Sequence, residues 1–333
     1  MTRVYVTHPS DKLAPYYGER ALQALNEIAE VHCNPQSREL SSAELIVQAR
    51  DCDAIIAYRQ TPGPEALFAA LPALRAFLRC AVDIRTVDVA GASAHGVLVT
   101  QASPGYATAV AEWIVGTMID LARGVSRYAE AYHHDRPLAP FMGRELRGAT
   151  LGVIGYGEIG QALGRLALAF GMRVCTTTLQ PLSIDDGARV AVVPLPVLLA
   201  ESDIVVCLAP ANAQTANMID AGVFASMKSG ACFINASRGE LIDEAALLAA
   251  LDSGRLAGCA LDVGRAPDQM PSPALARHPR VIATPHIGGL TLPAIEHQAL
   301  ETVAQLAALV RGELPVGAVN AAQATRWQRW RTG

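Results

Sequence analysis

Three glycines in the middle of the chain have the spacing G-x-G-x-x-G and follow the short apolar segment 151–154; they are Gly155, Gly157 and Gly160. The next segment, 159–170, has the apolar spacing of a helix, so the glycines join a strand to a helix. The first glycine allows a tight turn, the second lets a pyrophosphate approach the backbone, and the third lets helix and strand pack closely. The helix N-terminus adds amide donors and positive partial charge. The pattern therefore predicts a dinucleotide-binding loop.

The type of dinucleotide depends on the residue that ends the next predicted strand, 172–177. A carboxylate about 20 residues after the loop bonds the ribose 2′-hydroxyl and repels a 2′-phosphate. Thr178 stands at this place, and no arginine stands beside it to attract the phosphate. The sequence therefore leaves NAD and NADP open, with a slight preference for NADP or for the use of both.

The composition excludes several classes of protein. The chain has 333 residues, a formal net charge of −4 and 17% charged residues, which predicts two domains and gives no support for nucleic-acid binding. Its 7 cysteines are scattered and never form C-x-x-C, so neither disulfides nor a metal site is expected. No apolar run reaches the roughly 18 residues that span a bilayer, and the first residues show no secretion signal. We therefore expect a cytoplasmic protein without a membrane partner.

Strand-like and helix-like segments alternate, which predicts parallel α/β layers. The first series has predicted strands at 3–7, 54–58, 76–79 and 97–100 and a helix at 13–29. A long helix at 107–123 leads into the polar stretch 126–147, interpreted as a solvated connector. The second series has predicted strands at 151–154, 172–177, 202–208, 231–235, 259–263 and 281–284 and helices at 159–170, 244–251 and 291–311. Asp243 is predicted to cap the helix 244–251, which Ser253-Gly254 ends.

A series of ordered motifs extends through the second half of the chain. They read Gly143-Arg-Glu-Leu-Arg-Gly148, the glycine loop, Glu201-Ser-Asp-Ile-Val205, Met227-Lys-Ser-Gly230, Asn235-Ala-Ser-Arg-Gly239, Ala260-Leu-Asp-Val263 and Thr284-Pro-His-Ile-Gly-Gly289. In this order they resemble the D-isomer-specific 2-hydroxyacid dehydrogenase family. The resemblance implies two α/β domains with parallel sheets, Rossmann-like or flavodoxin-like, the first discontinuous in sequence. Residues 1–100 with 290–333 would bind the substrate, residues 101–289 would bind the nucleotide, and the substrate would lie in the cleft.

The resemblance implies roles for individual residues. Arg238 matches the arginine that holds the substrate carboxylate and polarises the 2-carbonyl, a task for which its planar fork is suited. His286 matches the general acid–base that protonates the carbonyl oxygen during reduction. Asp262 matches the aspartate that holds the nicotinamide carboxamide. The other implied cofactor contacts, beside the three glycines, Arg238 and His286, are Glu158, Ile159, Thr178, Pro210, Thr215, Ala236, Ser237, Gly288 and Gly289.

The family's third catalytic residue, a glutamate in a stretch like Glu-Pro-Leu-Pro, has no plain counterpart. The chain reads Gly264-Arg-Ala-Pro-Asp268-Gln-Met-Pro271, and an ungapped count puts Pro267 at the glutamate position. A shift of one residue aligns Asp268 with the glutamate, and Asp268 is the predicted carboxylate partner of His286. The alternative is that Asp268 is a loop residue in solvent.

The first half carries the remaining predicted substrate contacts, which are Arg59, Ala81 and Val82. Tyr58-Arg59-Gln60 resembles a loop whose arginine faces the substrate. The following loop, 79–85, lacks the family's glycine-rich turn, whose amides bind the substrate carboxylate. Asp83 would repel an anionic substrate there unless its carboxylate turns away or pairs with Arg85.

The predicted reaction is hydride transfer between NAD(P)(H) and C2 of a small 2-oxo or 2-hydroxy acid, such as glyoxylate or hydroxypyruvate, by a homodimer. One alternative, phosphoglycerate dehydrogenase, needs further cationic groups, and Arg59 and Arg85 could supply them. A second alternative is a dinucleotide-sensing protein of the corepressor type, which shares the fold and has negligible turnover. The presence of Arg238 and His286 argues against that alternative.

Overall fold

The computed structural model describes residues 1–178, 182 and 189–330, and the chain divides into two compact units. Unit 1 holds Met1–Gly105 and the residues from Thr291 onward, and unit 2 holds Tyr106–Leu290. Each unit contains one sheet in which the described strands pair in parallel. The predicted fold class, two α/β parts with parallel sheets of which the first is discontinuous in sequence, is confirmed.

Unit 1 is built on a sheet whose strand order is β2-β1-β3-β4-β5, as in flavodoxin-like folds. The strands are β1 (Arg3–Val6), β2 (Glu30–Cys33), β3 (Ala54–Ala57), β4 (Ala76–Arg79) and β5 (Leu98–Gln101). With helices numbered along the whole chain, those of unit 1 are α1 (Ser10–Tyr16), α2 (Glu19–Ile28), α3 (Ser42–Gln48), α4 (Glu65–Ala70), α5 (Val89–Ala94) and α13 (Leu292–Val310). Every residue of β3 and β4 is buried, because helices cover both faces of a parallel sheet.

The prediction of one helix over residues 13–29 was wrong. Helix α1 ends at Tyr16 and α2 begins at Glu19. Between them Gly18 has φ of +87°, a backbone conformation that glycine adopts easily and other residues rarely do. The apolar periodicity runs across this break because Tyr17, Ala21 and Leu25 enter the same core.

Unit 2 has the strand order β12-β11-β10-β9-β6-β7-β8. The strands are β6 (Thr150–Ile154), β7 (Arg173–Thr177), β8 (Val190–Val192), β9 (Ile204–Cys207), β10 (Ala231–Asn235), β11 (Leu256–Leu261) and β12 (Val281–Ala283). The helices are α6 (Ala107–Arg123), α7 (Val125–His133), α8 (Glu158–Ala169), α9 (Leu195–Glu201), α10 (Ala221–Ser226), α11 (Glu244–Asp252) and α12 (Pro273–Ala276). The strand order reverses between β6 and β9, and doubly wound sheets bind dinucleotides at that point.

The interpretation of residues 126–147 as a connector was wrong for its first part, which belongs to α7. Gly124, with φ of +67°, ends α6, and α7 follows at the next residue. The amide of Ser126 donates to Asp120 Oδ1 at 2.8 Å. Ala131 is the buried residue of α7, so the polar composition reflects an exposed helix rather than the absence of one.

Two local predictions for α11 are confirmed. Asp243 caps the helix, because its Oδ1 accepts from the amides of Ala245 at 3.0 Å and Ala246 at 3.1 Å. Gly254, with φ of +74°, follows the helix end. Among the described residues, no helix is long and apolar enough to cross a membrane. In the same part of the chain, no group of three or more histidine, cysteine, aspartate or glutamate residues could hold a metal ion.

Candidate active site

The glycine loop joins β6 to α8. Gly155 has φ of +91°, and a Cβ there would lie 2.9 Å from the backbone of Leu208 and Ala209, so a larger residue does not fit. Gly157 is the N-cap of α8, where no described side chain caps the helix and where a Cβ would meet open space. The first amides of α8 therefore have no described side chain as a cap, and there is open space beside Gly157. This arrangement fits a pyrophosphate.

Tyr156, the variable residue between the first two glycines, is buried beneath α8. A Cβ on Gly160 would lie 3.0 Å from Gly155 O and 3.3 Å from the Tyr156 ring, and one on Gly164 would overlap Tyr156 Oη. Both glycines of α8 thus make room for the ring. Sequence reasoning missed Gly164, although its position four residues after Gly160 places the two on one helix face.

Thr178 lies next to the glycine loop. The amide of Gly155 donates to the carbonyl of Thr177, the last residue of β7, at 3.0 Å. The Thr178 side chain is half-buried. Thr178 therefore occupies the place where an acidic residue selects NAD in such folds.

Arg238 belongs to a turn that Asn235, the last residue of β10, holds in place. The buried Asn235 side chain donates to Arg238 O at 2.9 Å and accepts from Ser237 N at 3.1 Å. Ser237 Oγ donates to Ala209 O at 2.6 Å, which connects the turn to the segment after β9. The backbone of Arg238 is thus held by groups outside its own side chain, as a guanidinium of defined direction requires.

Asp262 follows β11 directly and holds the loop that carries His286. Asp262 is 4% exposed, and its carboxylate accepts from Thr284 Oγ1 at 2.6 Å, Ile287 N at 2.8 Å and Gly288 N at 2.7 Å. A Cβ on Gly288 would lie 2.8 Å from Asp262 Oδ2, so a glycine is required there.

His286 itself has φ of +57°. This left-handed conformation is uncommon for residues other than glycine, and such strain is concentrated at functional sites. The hydrogen bonds to Asp262 come from the residues on both sides of His286, so they hold this backbone conformation in place.

The segment 264–271 packs against the Arg238 turn. A Cβ on Gly239 would overlap the backbone of Gly264, so two glycines allow the segments to meet. Arg265 Nη2 then donates to the carbonyls of Glu240 and Ile242, each at 3.1 Å. The backbone of Asp268 lies in the 3₁₀ turn Pro267–Gln269, whereas its side chain lies outside the described part of the structure. Its pairing with His286 stays a prediction.

Thr215 closes the loop after β9. Its Oγ1 donates to Pro210 O at 2.8 Å and accepts from Asn212 N at 2.9 Å. Pro210 and Thr215 therefore share one turn. That turn follows Ala209, whose carbonyl accepts from Ser237.

The predicted residues of unit 2 follow the carboxyl ends of neighbouring parallel strands. These are the glycine loop after β6, Thr178 after β7, Pro210 after β9, Arg238 after β10, Asp262 after β11 and His286 after β12. Because parallel strands end at the same edge of a sheet, one edge carries all of them, and this is the edge at which such sheets bind ligands.

The predicted substrate residues of unit 1 lie at the carboxyl ends of β3 and β4. Arg59 follows β3, and its guanidinium lies 5.5 Å from the centre of the Tyr16 ring. In the loop after β4, Arg85 Nη2 lies 2.8 Å from Asp83 Oδ2, and Arg85 Nε lies 3.1 Å from both carboxylate oxygens. Asp83 is therefore paired with Arg85. This pairing is one of the two arrangements that the sequence left open.

Sequence analysis missed two buried basic residues among the described residues of unit 1. Arg79 is 1% exposed, and burial lowers its pKa to about 10, so it stays charged near neutral pH. The signal was a charged residue at the end of the apolar strand Ala-Phe-Leu-Arg. His8 packs against the rings of Tyr17 and Tyr58. Burial and the charge of Arg79 lower the pKa of His8 to about 3, so His8 is neutral at neutral pH.

The fold and the glycine loop define an α/β dinucleotide-binding protein. A family model described as D-isomer specific 2-hydroxyacid dehydrogenase, NAD binding domain, matches residues 115–288. The chain is 33% identical over 316 residues to the glyoxylate reductase of Thermococcus gammatolerans, with 91% of this chain and 93% of that protein covered. The chain therefore belongs to the D-isomer specific 2-hydroxyacid dehydrogenase family.

Two other comparisons agree with this assignment. The chain is 34% identical over 309 residues to D-3-phosphoglycerate dehydrogenase 3, chloroplastic, of Arabidopsis thaliana. That match covers 91% of this chain and 52% of the relative, so the chain spans about half the length of the phosphoglycerate dehydrogenase. The structure of Escherichia coli D-lactate dehydrogenase superposes with a TM-score of 0.83 at 26% identity, covering 96% of this chain and 100% of that one.

Proposed function

We propose that this protein transfers a hydride between a nicotinamide dinucleotide and C2 of a small 2-oxo or 2-hydroxy acid of the glyoxylate or hydroxypyruvate type. The observation that carries this proposal is the edge of the unit 2 sheet. There a buried asparagine holds the Arg238 turn and a buried aspartate holds the His286 loop, at the same edge as the glycine loop, whose helix α8 no described side chain caps. The similarity to a glyoxylate reductase over almost its whole length supports the substrate class.

The dinucleotide would bind along this edge of unit 2. The backbone of Gly157, Glu158 and Ile159 would hold its pyrophosphate, because the first turn of α8 offers amide donors there. Pro210, Thr215, Ala236 and Ser237 would line its path, and Asp262, Gly288 and Gly289 would border the nicotinamide. When bound, the dinucleotide supplies or accepts the hydride.

The reaction itself needs a group for the carboxylate and a group for the proton. The planar guanidinium of Arg238 would bind the carboxylate with two parallel hydrogen bonds and polarise the neighbouring carbonyl. His286 would donate a proton to the carbonyl oxygen during reduction and remove it during oxidation. Arg59, Ala81 and Val82 are the proposed substrate contacts of unit 1.

The test is a panel of 2-oxo acids assayed with both NADH and NADPH. Glyoxylate, hydroxypyruvate, pyruvate and phosphohydroxypyruvate are offered at equal concentrations, and dinucleotide binding is measured in parallel. Turnover of a small 2-oxo acid supports the proposal. Preference for the phosphorylated acid would favour phosphoglycerate dehydrogenase, the second candidate, to which the Arabidopsis relative points. Dinucleotide binding without turnover would instead indicate a sensing protein.

We expect the protein to use NADPH at least as readily as NADH, because Thr178 does not repel a 2′-phosphate. Thr178→Asp is expected to shift the preference strongly to NADH, since a carboxylate there bonds the 2′-hydroxyl. The measurement is kcat/KM with each cofactor. Thr178→Asn is the matched control, with the size of aspartate and no charge. Strict use of NADH by the unmodified protein would show that another group excludes the phosphate.

Asp268 is proposed as the carboxylate partner of His286. A carboxylate beside an imidazole favours its protonated form, which reduction requires. Asp268→Asn is therefore expected to move the falling limb of the reductive kcat/KM profile to lower pH. Dinucleotide affinity should barely change, because a carboxylate paired with the imidazole would not contact the cofactor. Asp252→Asn is the control, since Asp252 is exposed and pairs with another histidine, His278. If Asp268→Asn leaves the pH profile unchanged, Asp268 is not the partner of His286 and is instead a loop residue in solvent.

We also propose a homodimer formed through an exposed apolar surface of unit 2. Its members lie on α7 and the segment that follows it, namely Tyr132 at 71% exposure, Leu138 at 39%, Phe141 at 45% and Met142 at 94%. The ring of Phe141 stacks on that of Tyr128 in α7, with ring centres 5.8 Å apart, so the segment after α7 folds back on this helix, and a contiguous exposed apolar patch is typical of protein interfaces. Met142→Lys is expected to lower the molar mass in solution towards that of a monomer, whereas Val47→Lys, at an exposed position of unit 1, should not. A monomeric unmodified protein contradicts the proposal.

A further inference from the structure

One buried guanidinium connects the two loops that follow β3 and β4 in unit 1. The side chain of Arg79 points away from solvent at the carboxyl end of β4. A guanidinium has five N–H donors, and each of those of Arg79 has an acceptor in one of the two loops. In the loop after β3, Nη1 donates to Tyr58 O at 2.9 Å and to Thr61 O at 2.6 Å, and Nη2 donates to Arg59 O. In the loop after β4, Nε donates to Asp83 O at 3.1 Å, and Nη2 donates to Thr86 Oγ1 at 3.0 Å.

The loop after β3 is also held from the opposite side. Thr7, which follows β1, accepts from the amide of Tyr58 at 2.9 Å, and its Oγ1 lies 2.6 Å from Thr61 Oγ1. Because β3 lies between β1 and β4 in the sheet, residues 58–61 are fixed by side chains from both neighbouring strands. The backbone that carries Arg59 therefore has little freedom to move.

The buried charge of Arg79 favours one conformation of the two loops. A buried charge is costly unless hydrogen bonds compensate it, and a buried donor that loses its partner incurs the full desolvation penalty. If either loop moved away, Arg79 would keep its charge and lose two or three acceptors. The guanidinium thus favours the one conformation in which both loops are in place.

We propose that Arg79 is a positioning residue that sets the distance between Arg59 and the turn containing Ala81 and Val82, and so the affinity for the 2-oxo acid. The inference rests on the proposed function, in which those three residues contact the substrate. Arg79 does not contact the substrate itself, because its donors are all engaged by the protein. The loop after β4 is not glycine-rich, and its conformation is held by the buried Arg79 and by the Asp83–Arg85 pair.

The first experiment replaces Arg79 by lysine. A lysine ammonium is a compact charge that cannot serve acceptors in both loops. We expect KM for the 2-oxo acid to rise by at least about tenfold, because more than one charged hydrogen bond is lost. The dissociation constant of the dinucleotide should stay unchanged, since the glycine loop belongs to unit 2. A second variant, Arg79→Gly, removes the guanidinium altogether and should also raise KM. Free guanidinium at millimolar concentration should then lower its KM part of the way back.

Arg75→Lys is the matched control. Arg75 precedes β4, pairs with Asp53 at 3.2 Å and stacks on Trp330, so the variant perturbs unit 1 at the other end of the same strand. We expect its KM to match that of the unmodified protein. An equal rise of KM in both variants would mean that general destabilisation of unit 1 causes the effect, and would overturn the inference.

A milder pair covers the case in which Arg79→Lys does not fold. Thr86→Val removes one acceptor of Arg79, and Thr86→Ser keeps it. We expect KM to rise about threefold in the valine variant only, as for the loss of one hydrogen bond. Normal KM in Thr86→Val, with an active unmodified protein, overturns the inference and leaves the proposed function intact. An unmodified protein that turns over no 2-oxo acid overturns the proposed function, on which the inference depends.

Discussion

His286→Asn is expected to lower kcat for reduction of a 2-oxo acid by about 10²–10⁴-fold, the usual contribution of a general acid or base. Asparagine keeps a polar side chain but delivers no proton to the carbonyl oxygen. It is also among the few residues that tolerate the left-handed backbone of this position, where φ is +57°. The loop held by Asp262 should therefore keep its conformation, and only the proton transfer is removed.

The experiment separates loss of chemistry from loss of structure by measuring kcat, KM and the dinucleotide dissociation constant together. The dissociation constant should change little, because the amides of the first turn of α8, which would hold the pyrophosphate, stay in place, and asparagine keeps a polar group at the nicotinamide end. His134→Asn, at an exposed histidine, is the control and should behave like the unmodified protein. A variant His286→Asn with nearly normal kcat would mean that another group delivers the proton.

Arg238→Lys is expected to lower kcat/KM by at least about a hundredfold although the charge is preserved. In the proposed role the planar fork of arginine would bind both carboxylate oxygens in one orientation and place a cation beside the carbonyl, whereas lysine offers a point charge of different reach. Asn235 and Ser237 hold the backbone of the turn, so the substitution should leave the turn in place.

Arg173→Lys is the matched control, because Arg173 lies in the same unit at the amino end of β7 and donates to Thr150 Oγ1. That end of the strand is opposite to the edge with the glycine loop. Its kinetics should match those of the unmodified protein. Nearly normal kcat/KM in Arg238→Lys would remove the arginine from the mechanism and would favour the sensing alternative.

The local elements of this protein could be predicted from its sequence because their signals are local. Strands β4 and β10 and helix α6 begin and end at the predicted residues. A strand buried on both faces is a short apolar run with polar residues around it, and a left-handed glycine ends the helix. The glycine loop is equally local, since a tight turn needs small residues at fixed spacing.

Elements without such a signal were missed. Strand β2 alternates between exposed and half-buried residues at the sheet margin, so it has no apolar run. Helix α7 is mostly exposed, and polar residues on a solvated helix resemble those of a loop. The break at Gly18 was hidden because both helices pack on the same core.

The family motifs and the residue types available for binding and proton transfer can be read from the chain residue by residue. The side chains that hold those residues in place follow only from the way the chain folds. Asp262 contacts the residues around His286 because β11 and β12 are neighbours, and Arg79 reaches residues 58–61 because β3 and β4 are neighbours. Such contacts join residues some 20 positions apart through hydrogen bonds that depend on strand order, register and burial. A pattern of residue types along the chain contains none of these three quantities.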